Sequence, residues 1–176
     1  MANLRMKSFR AFPMALTCTI ALAFATPAAS QDTATERATV VGVADSALAA
    51  ITRGDMVAFT DLMLNEAILF PTSTRDGVTR YRVRTRAEQR VAPKGGVVTE
   101  RGFSAEVRIN GPLAVVWYPY DLYIDGKWSH CGVDVFTLIR DDGRWRIAAM
   151  AWSAEQPPAC VQHPDGPPRR NTGNHG

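Results

Sequence analysis

Two hydrophobic periods divide this chain. From Val40 to Ile51 apolar residues recur at helical spacing, at Val40, Val41, Ala44, Ala47, Leu48 and Ile51, and Arg53-Gly54 supplies a basic last turn with a C′ glycine. Asp55 then caps a second, shorter helix with Phe59, Leu62 and Met63 on one side. Beyond it the period shortens to the two-residue alternation of strands. Ala67 to Phe70 predicts a first strand, Arg75-Asp76-Gly77 a turn, and Val78 to Arg84 a second strand rich in arginine. Thr85-Arg86-Ala87-Glu88 is a capping box for a short helix reaching about Val91. Pro93 to Gly96 is loop, Val97 to Ile109 a third strand, and Leu113 to Trp152 two consecutive hairpins.

The hairpins organise everything that could carry chemistry. Asp125-Gly126 and Asp142-Gly143 can both take the two positive φ angles of a type I′ turn. If Ile124 opposes Lys127, then Asp121 opposes His130, Trp117 opposes Asp134 and Val115 opposes Phe136. One face then carries Leu113, Val115, Trp117, Phe136, Leu138, Trp145, Ile147 and Ala149 and ends in Asp134, His130, Asp121 and Tyr123: an apolar floor with a polar rim, as a ligand pocket needs. Burial favours a three-residue turn at Asn110-Gly111-Pro112, which sets Ile109, Val107, Ala105 and Phe103 on that floor and Arg101 across from Asp121. The opposite face, with Tyr118, Tyr120, Val133, Val135 and Trp152, is too apolar for free surface and predicts a homodimer.

The first 30 residues change the picture of charge. Arg5, Lys7 and Arg10 precede an apolar run from Ala11 to Ala25, and Ala28-Ala29-Ser30 places small residues for signal peptidase. This predicts an exported, periplasmic or secreted protein without a membrane anchor. The whole chain has 20 basic and 17 acidic residues; without the leader's three basic ones the balance is neutral, so neither nucleic acid nor an acidic surface is indicated as a partner. About 146 residues remain, enough for one domain that buries roughly two-thirds of its unfolded surface. Cys131 and Cys160 survive cleavage, and in an oxidising compartment they read as a disulfide. The tail from residue 156 is rich in proline and glycine and is expected to be disordered beyond Cys160.

Candidate chemistry centres on Asp134, His130 and Asp121, with Arg101, Tyr123, Trp117 and Phe136 beside them. A carboxylate against an aromatic wall has its pKa raised, which suits a general acid or base, and an Asp121–His130 pair could hold the imidazole in one tautomer. The purely structural version has Asp121 paired with Arg101 and Asp134 bonded to backbone or indole. His130 is the one histidine outside the leader and tail, so a histidine-rich metal site is not expected. Nucleophile-elbow, phosphate-loop and dinucleotide motifs are absent, and no cofactor is implied. Arg80, Arg82, Arg84, Arg86 and Arg90 could bind an anion or simply guard an edge strand.

Helix, helix, strand pair, short helix and a long meander imply an α+β domain over about residues 36–155, its N-terminal helices covering one face of a curved antiparallel sheet of about six strands. The stretches ITRGDMVAFTDLMLNEAILF and NGPLAVVWYPYDLYIDGKWSHCGVDVFTLIRDDGRWRIAAMAWS resemble the nuclear transport factor 2-like superfamily, also called SnoaL-like or ketosteroid isomerase-like. SHCGVDVFTLIR followed by RWRI resembles its exported, uncharacterised bacterial members. The resemblance implies a cone-shaped fold with a pocket between helices and sheet, often dimeric through the sheet's other face. It transfers no catalytic residue: the isomerases' tyrosine on the first helix has no counterpart, and the epoxide hydrolases' Arg and Asp two apart on one strand are not matched. Three functions stay open: a pocket protein for a small, partly apolar molecule; a cofactor-free proton-transfer enzyme using Asp134 and the Asp121–His130 pair, of isomerase, dehydratase or cyclase type; and a non-catalytic dimeric interaction module.

Overall fold

The structure, a computed structural model, describes residues 28–92 and 95–168, with side chains from residue 33. The leader apart from Ala28-Ala29-Ser30 lies outside the described residues. Helix α1 (Ala28–Thr52) buries the stripe Val40, Ala44, Ala47 and Leu48. It ends as its sequence requires: Gly54 takes φ 64°, and its amide bonds back to the Ile51 carbonyl at 2.8 Å. Asp55 caps α2 (Met56–Asp61), its side chain accepting from the Ala58 amide at 2.9 Å.

Eight strands follow: β1 (Met63–Arg75), β2 (Val78–Tyr81), β3 (Arg84–Thr85), β4 (Val98–Gly102), β5 (Glu106–Asn110), β6 (Leu113–Ile124), β7 (Lys127–Asp141) and β8 (Arg144–Trp152). A single turn of helix, α3 (Arg86–Arg90), follows β3 and carries both bonds of the Thr85–Glu88 capping box. The strand order is β2-β1-β8-β7-β6-β4, with β3 beside β1 and β5 beside β6. All pairs are antiparallel except β1 with β8. The sheet is therefore mixed where the sequence suggested an antiparallel one: β1 and β8 are the first and last strands, joined through the whole meander and not by a hairpin that would force them antiparallel. The helices lie across the inner face of this curled sheet.

The turns form as expected, and the registers beyond them do not. Asp76-Gly77, Asp125-Gly126 and Asp142-Gly143 all hold two consecutive positive φ angles. Ile124 opposes Lys127 and Tyr123 opposes Trp128, but Leu122 then opposes His130. Ser129 is the extra residue of a bulge, and it moves every later pair by one. Asp121 faces Cys131 instead of His130, Tyr118 faces Asp134, and Val116 faces Phe136. A second shift between Ile147 and Ala149 sets Met150 against Phe136. The turn before β6 is the two-residue one, with Asn110 opposite Leu113. Val107 still faces inward, because the interior of β6 is Ala114, Val116, Tyr118, Tyr120 and Leu122. Ser104, with φ 51°, breaks the third strand into β4 and β5 and restores Arg101 opposite Asp121.

The face assignments on β6 are thus corrected. Tyr118 and Tyr120 are buried, and Trp152 lines an internal cavity, so they do not belong to an outer dimer face with Val133 and Val135. Leu113 and Trp117, expected on the apolar floor, are 46% and 49% exposed. Bonding explains the choice: Tyr118 donates to Asp45 at 2.6 Å and Tyr120 to the Ser153 carbonyl at 2.8 Å, so both rings are buried with their hydroxyls satisfied.

The chain past β8 lies over the outer face. Cys131 and Cys160 form the disulfide, with Cα atoms 5.8 Å apart. The next residues continue as a strap where disorder was expected: Gln162 Nε2 donates to the Tyr123 hydroxyl at 3.0 Å and the His163 amide to Asp121 Oδ2 at 3.0 Å.

Candidate functional site

Between the helices and the inner face lies a cavity of about 240 Å³. Ile51, Met56, Phe59, Leu122, Met150 and Trp152 make its apolar wall, and Gln89, Glu100, Tyr120, His130 and Asp134 supply the polar groups. A chamber of about 330 Å³ adjoins it beneath the α1–α2 corner, sharing Ile51, Met56, Gln89 and Val98. A more open groove of about 820 Å³ meets it from the other side at His130 and Trp152.

Asp134 is fully buried, and neither of its oxygens has a hydrogen-bond partner. Its neighbours are committed elsewhere: Tyr118 to Asp45, Tyr120 to Ser153, and Ser129 Oγ lies 3.0 Å from His130 Nδ1. The remaining polar group beside it is the carboxyl of Glu100, close enough to share a proton though short of a formed hydrogen bond. Glu100 is fixed by the end of α1, where the Thr52 hydroxyl accepts from the Glu100 amide at 2.9 Å and donates to its carbonyl at 3.2 Å. One hydroxyl therefore sets the depth of β4 in the cavity.

Two carboxyls in an apolar enclosure cannot both ionise. Burial, then the charge of Glu100 and the shared proton, hold Asp134 well above the usual carboxylate range. Burial pushes Glu100 up to about 8, partly offset by its contact with Asp134. Part of Glu100 borders the cavity, but its carboxyl sits deep in the domain, which is why burial dominates. The pair retains a proton at neutral pH. Burial lowers the pKa of His130, whose ring also meets Tyr120 edge-on at 5.9 Å, so its imidazole is neutral under the same conditions. A retained acid beside a neutral base is the combination that proton transfer requires.

Of the residues singled out in the sequence, Asp134 and His130 line this cavity. Phe136 is buried in the adjoining core. Asp121 is on the outer face, fully buried beneath the strap and bonded by Arg101 through Nε at 3.0 Å and Nη2 at 2.5 Å. The Asp121–His130 pair does not form, because the Ser129 bulge puts the two residues on opposite faces. Arg101 also lies 5.5 Å over the Tyr123 ring, and both belong to this outer cluster. Trp117 is on the outer face as well. Glu100 was missed because the expected register, which already set it opposite Leu122, was combined with the wrong face of β6; the available signal was the competing apolar set Val116, Tyr118, Tyr120 and Leu122. Among the described residues no group of three or more His, Cys, Asp or Glu side chains is placed to hold a metal ion. No described helix is long and apolar enough to cross a membrane.

No protein-family model matches the sequence, and no match was found among curated proteins. Solved structures match in fold. A protein of unknown function with a cystatin-like fold from Nostoc punctiforme gives a TM-score of 0.55 at 9% identity, covering 71% of this chain and 94% of its own. A nuclear transport factor 2-like protein with a cystatin-like fold from Novosphingobium aromaticivorans gives 0.55 at 14% identity, covering 72% and 86%. A ketosteroid isomerase-like protein from Erwinia carotovora atroseptica gives 0.51 at 16% identity, covering 69% and 98%. What is shared at these identities is the architecture of curled sheet and covering helices.

Proposed function

Given the nuclear transport factor 2-like fold of this chain, we propose that its inner cavity takes a small, partly apolar molecule and moves a proton on it without a cofactor. Asp134 and Glu100 act as the acid–base pair, and His130 is the second proton carrier. The observation that carries this reading is the buried, unbonded carboxyl of Asp134 in a cavity wall beside a second carboxyl. Leaving such a group without a partner costs about 1–3 kcal/mol or more, a cost that a purely structural residue has no reason to retain. With a carbonyl compound bound, the protonated member donates to the carbonyl oxygen. The neutral imidazole accepts the proton from the adjacent carbon, and the C–H electron pair moves into the new C=C bond.

The test is deuterium exchange. Small cyclic ketones incubated with the protein in D2O should exchange their α-protons faster than in buffer, and Asp134→Asn should lower that rate at least about tenfold. Ketones that bind without exchange would reduce the protein to a binding pocket, the second reading, which the same apolar wall supports. We place the protein outside the cytoplasm, as the basic-then-apolar leader and the Cys131–Cys160 disulfide support. Pairing of two copies then falls to Leu113, Trp117 and Ile139, the large apolar side chains that the outer face of β6 and β7 leaves exposed.

A further inference from the structure

The fold sorts the five arginines that follow β1. Arg86 and Arg90 reach Asp61 at 3.4 and 2.6 Å, and Arg84 donates to Gln89 Oε1 at 2.6 Å. Arg80 and Arg82 pair with no carboxylate among the described residues. Both line the open groove of about 820 Å³, together with Arg84, and no acidic side chain contributes to its wall. Arginines that only guard a sheet edge need not converge on a concavity. These do, and the groove ends at His130 and Trp152, which also wall the inner cavity.

We infer that this groove binds the anionic head of the molecule whose apolar body enters the inner cavity. The ligand class is then a small carboxylate- or sulfonate-headed compound with an apolar, ring-sized body; this rests on the pocket reading above. Charge sets the orientation. The closed end around Glu100 and Asp134 has no lysine or arginine in its wall, whereas the planar guanidinium forks of Arg80 and Arg82 at the open end match the two oxygens of such a head group. The cations are crowded: burial, then the charge of Arg82, lowers the pKa of Arg84, partly offset by the charge of Glu88.

The test uses two probes with one body. 1-Naphthaleneacetate and 1-naphthaleneacetamide, titrated calorimetrically at low ionic strength, differ only in the head group. The acetate should bind at least about tenfold more tightly, and the preference should shrink at high salt. Arg80→Gln combined with Arg82→Gln should abolish the preference and leave amide affinity unchanged, which also shows that the variant is folded. Equal affinities for the two probes, or a preference that survives in the double variant, would overturn the inference and leave the pocket standing. Failure of both probes to bind at millimolar concentration would overturn the pocket reading and the anion groove with it.

Discussion

Two fully buried aspartates, Asp121 on β6 and Asp134 on β7, lie on opposite faces of one strand pair and have opposite environments. Asp121 is held by two bonds from Arg101 and one from the His163 amide. Asp134 has no bonded partner and faces another carboxyl. Burial alone therefore says nothing about role. A buried charge with a cation and an amide is part of the scaffold, whereas a buried carboxyl facing its own kind must keep a proton, and a retained proton can be delivered.

The largest effect should come from breaking the paired side. Asp121→Asn leaves the Arg101 guanidinium uncompensated beneath the strap and should cost about 3–5 kcal/mol in chemical denaturation. Next, replacing Cys131 and Cys160 by alanine frees the strap and removes a loop constraint, for a loss of about 3 kcal/mol. Faster hydrogen exchange at the His163 amide would show that the loss comes from this side of the sheet.

The unpaired side should respond with the other sign. Asp134→Asn removes a group that resists ionisation, so the variant should be more stable than the parent at pH 8 and differ little at pH 5. The sign follows from the raised values: a carboxyl whose folded pKa exceeds its unfolded one contributes most at low pH, and that contribution fades as pH rises. For Glu100 the window runs from its ordinary 4.5 to about 8. Thermal melts of both proteins across that range should diverge steadily; parallel curves would show that the Asp134 carboxyl is not raised in the folded protein. The smallest effect belongs to the exposed outer face. Trp117→Ala should change unfolding of the single chain by no more than about 0.5 kcal/mol, and should lower the dimer fraction in analytical ultracentrifugation.

How much of this was legible follows from the range of each signal. The helix stripe, the Asp55 and Thr85 caps and the three Asp-Gly turns are local, and all are present. Face assignment on β7 was legible too, since Phe136 and Leu138 mark the interior and carry Asp134 and His130 with them. Register across β6 was not. An apolar odd set (Leu113, Val115, Trp117) and an apolar even set (Val116, Tyr118, Tyr120) compete for the interior, and only the tyrosines' distant partners, Asp45 and Ser153, decide between them. The Arg101–Asp121 pair was expected and is present by another route, a two-residue turn plus a break at Ser104 instead of a three-residue turn.

Ser129 is a single added residue, and it decides which side of the sheet all of β7 beyond it presents. Were Ser129 paired in the ladder instead, the same letters would lie on reversed sides, with Asp134 directed outward beside Trp117, whereas a chain without that residue would pair as this one does and need no bulge. Two relatives differing by that one insertion, aligned without a gap there, would match residues in every column that occupy opposite faces of the sheet. Functional positions downstream of the hairpin thus keep their faces when the extra residue is absorbed in a bulge or is absent, and lose them when it is paired.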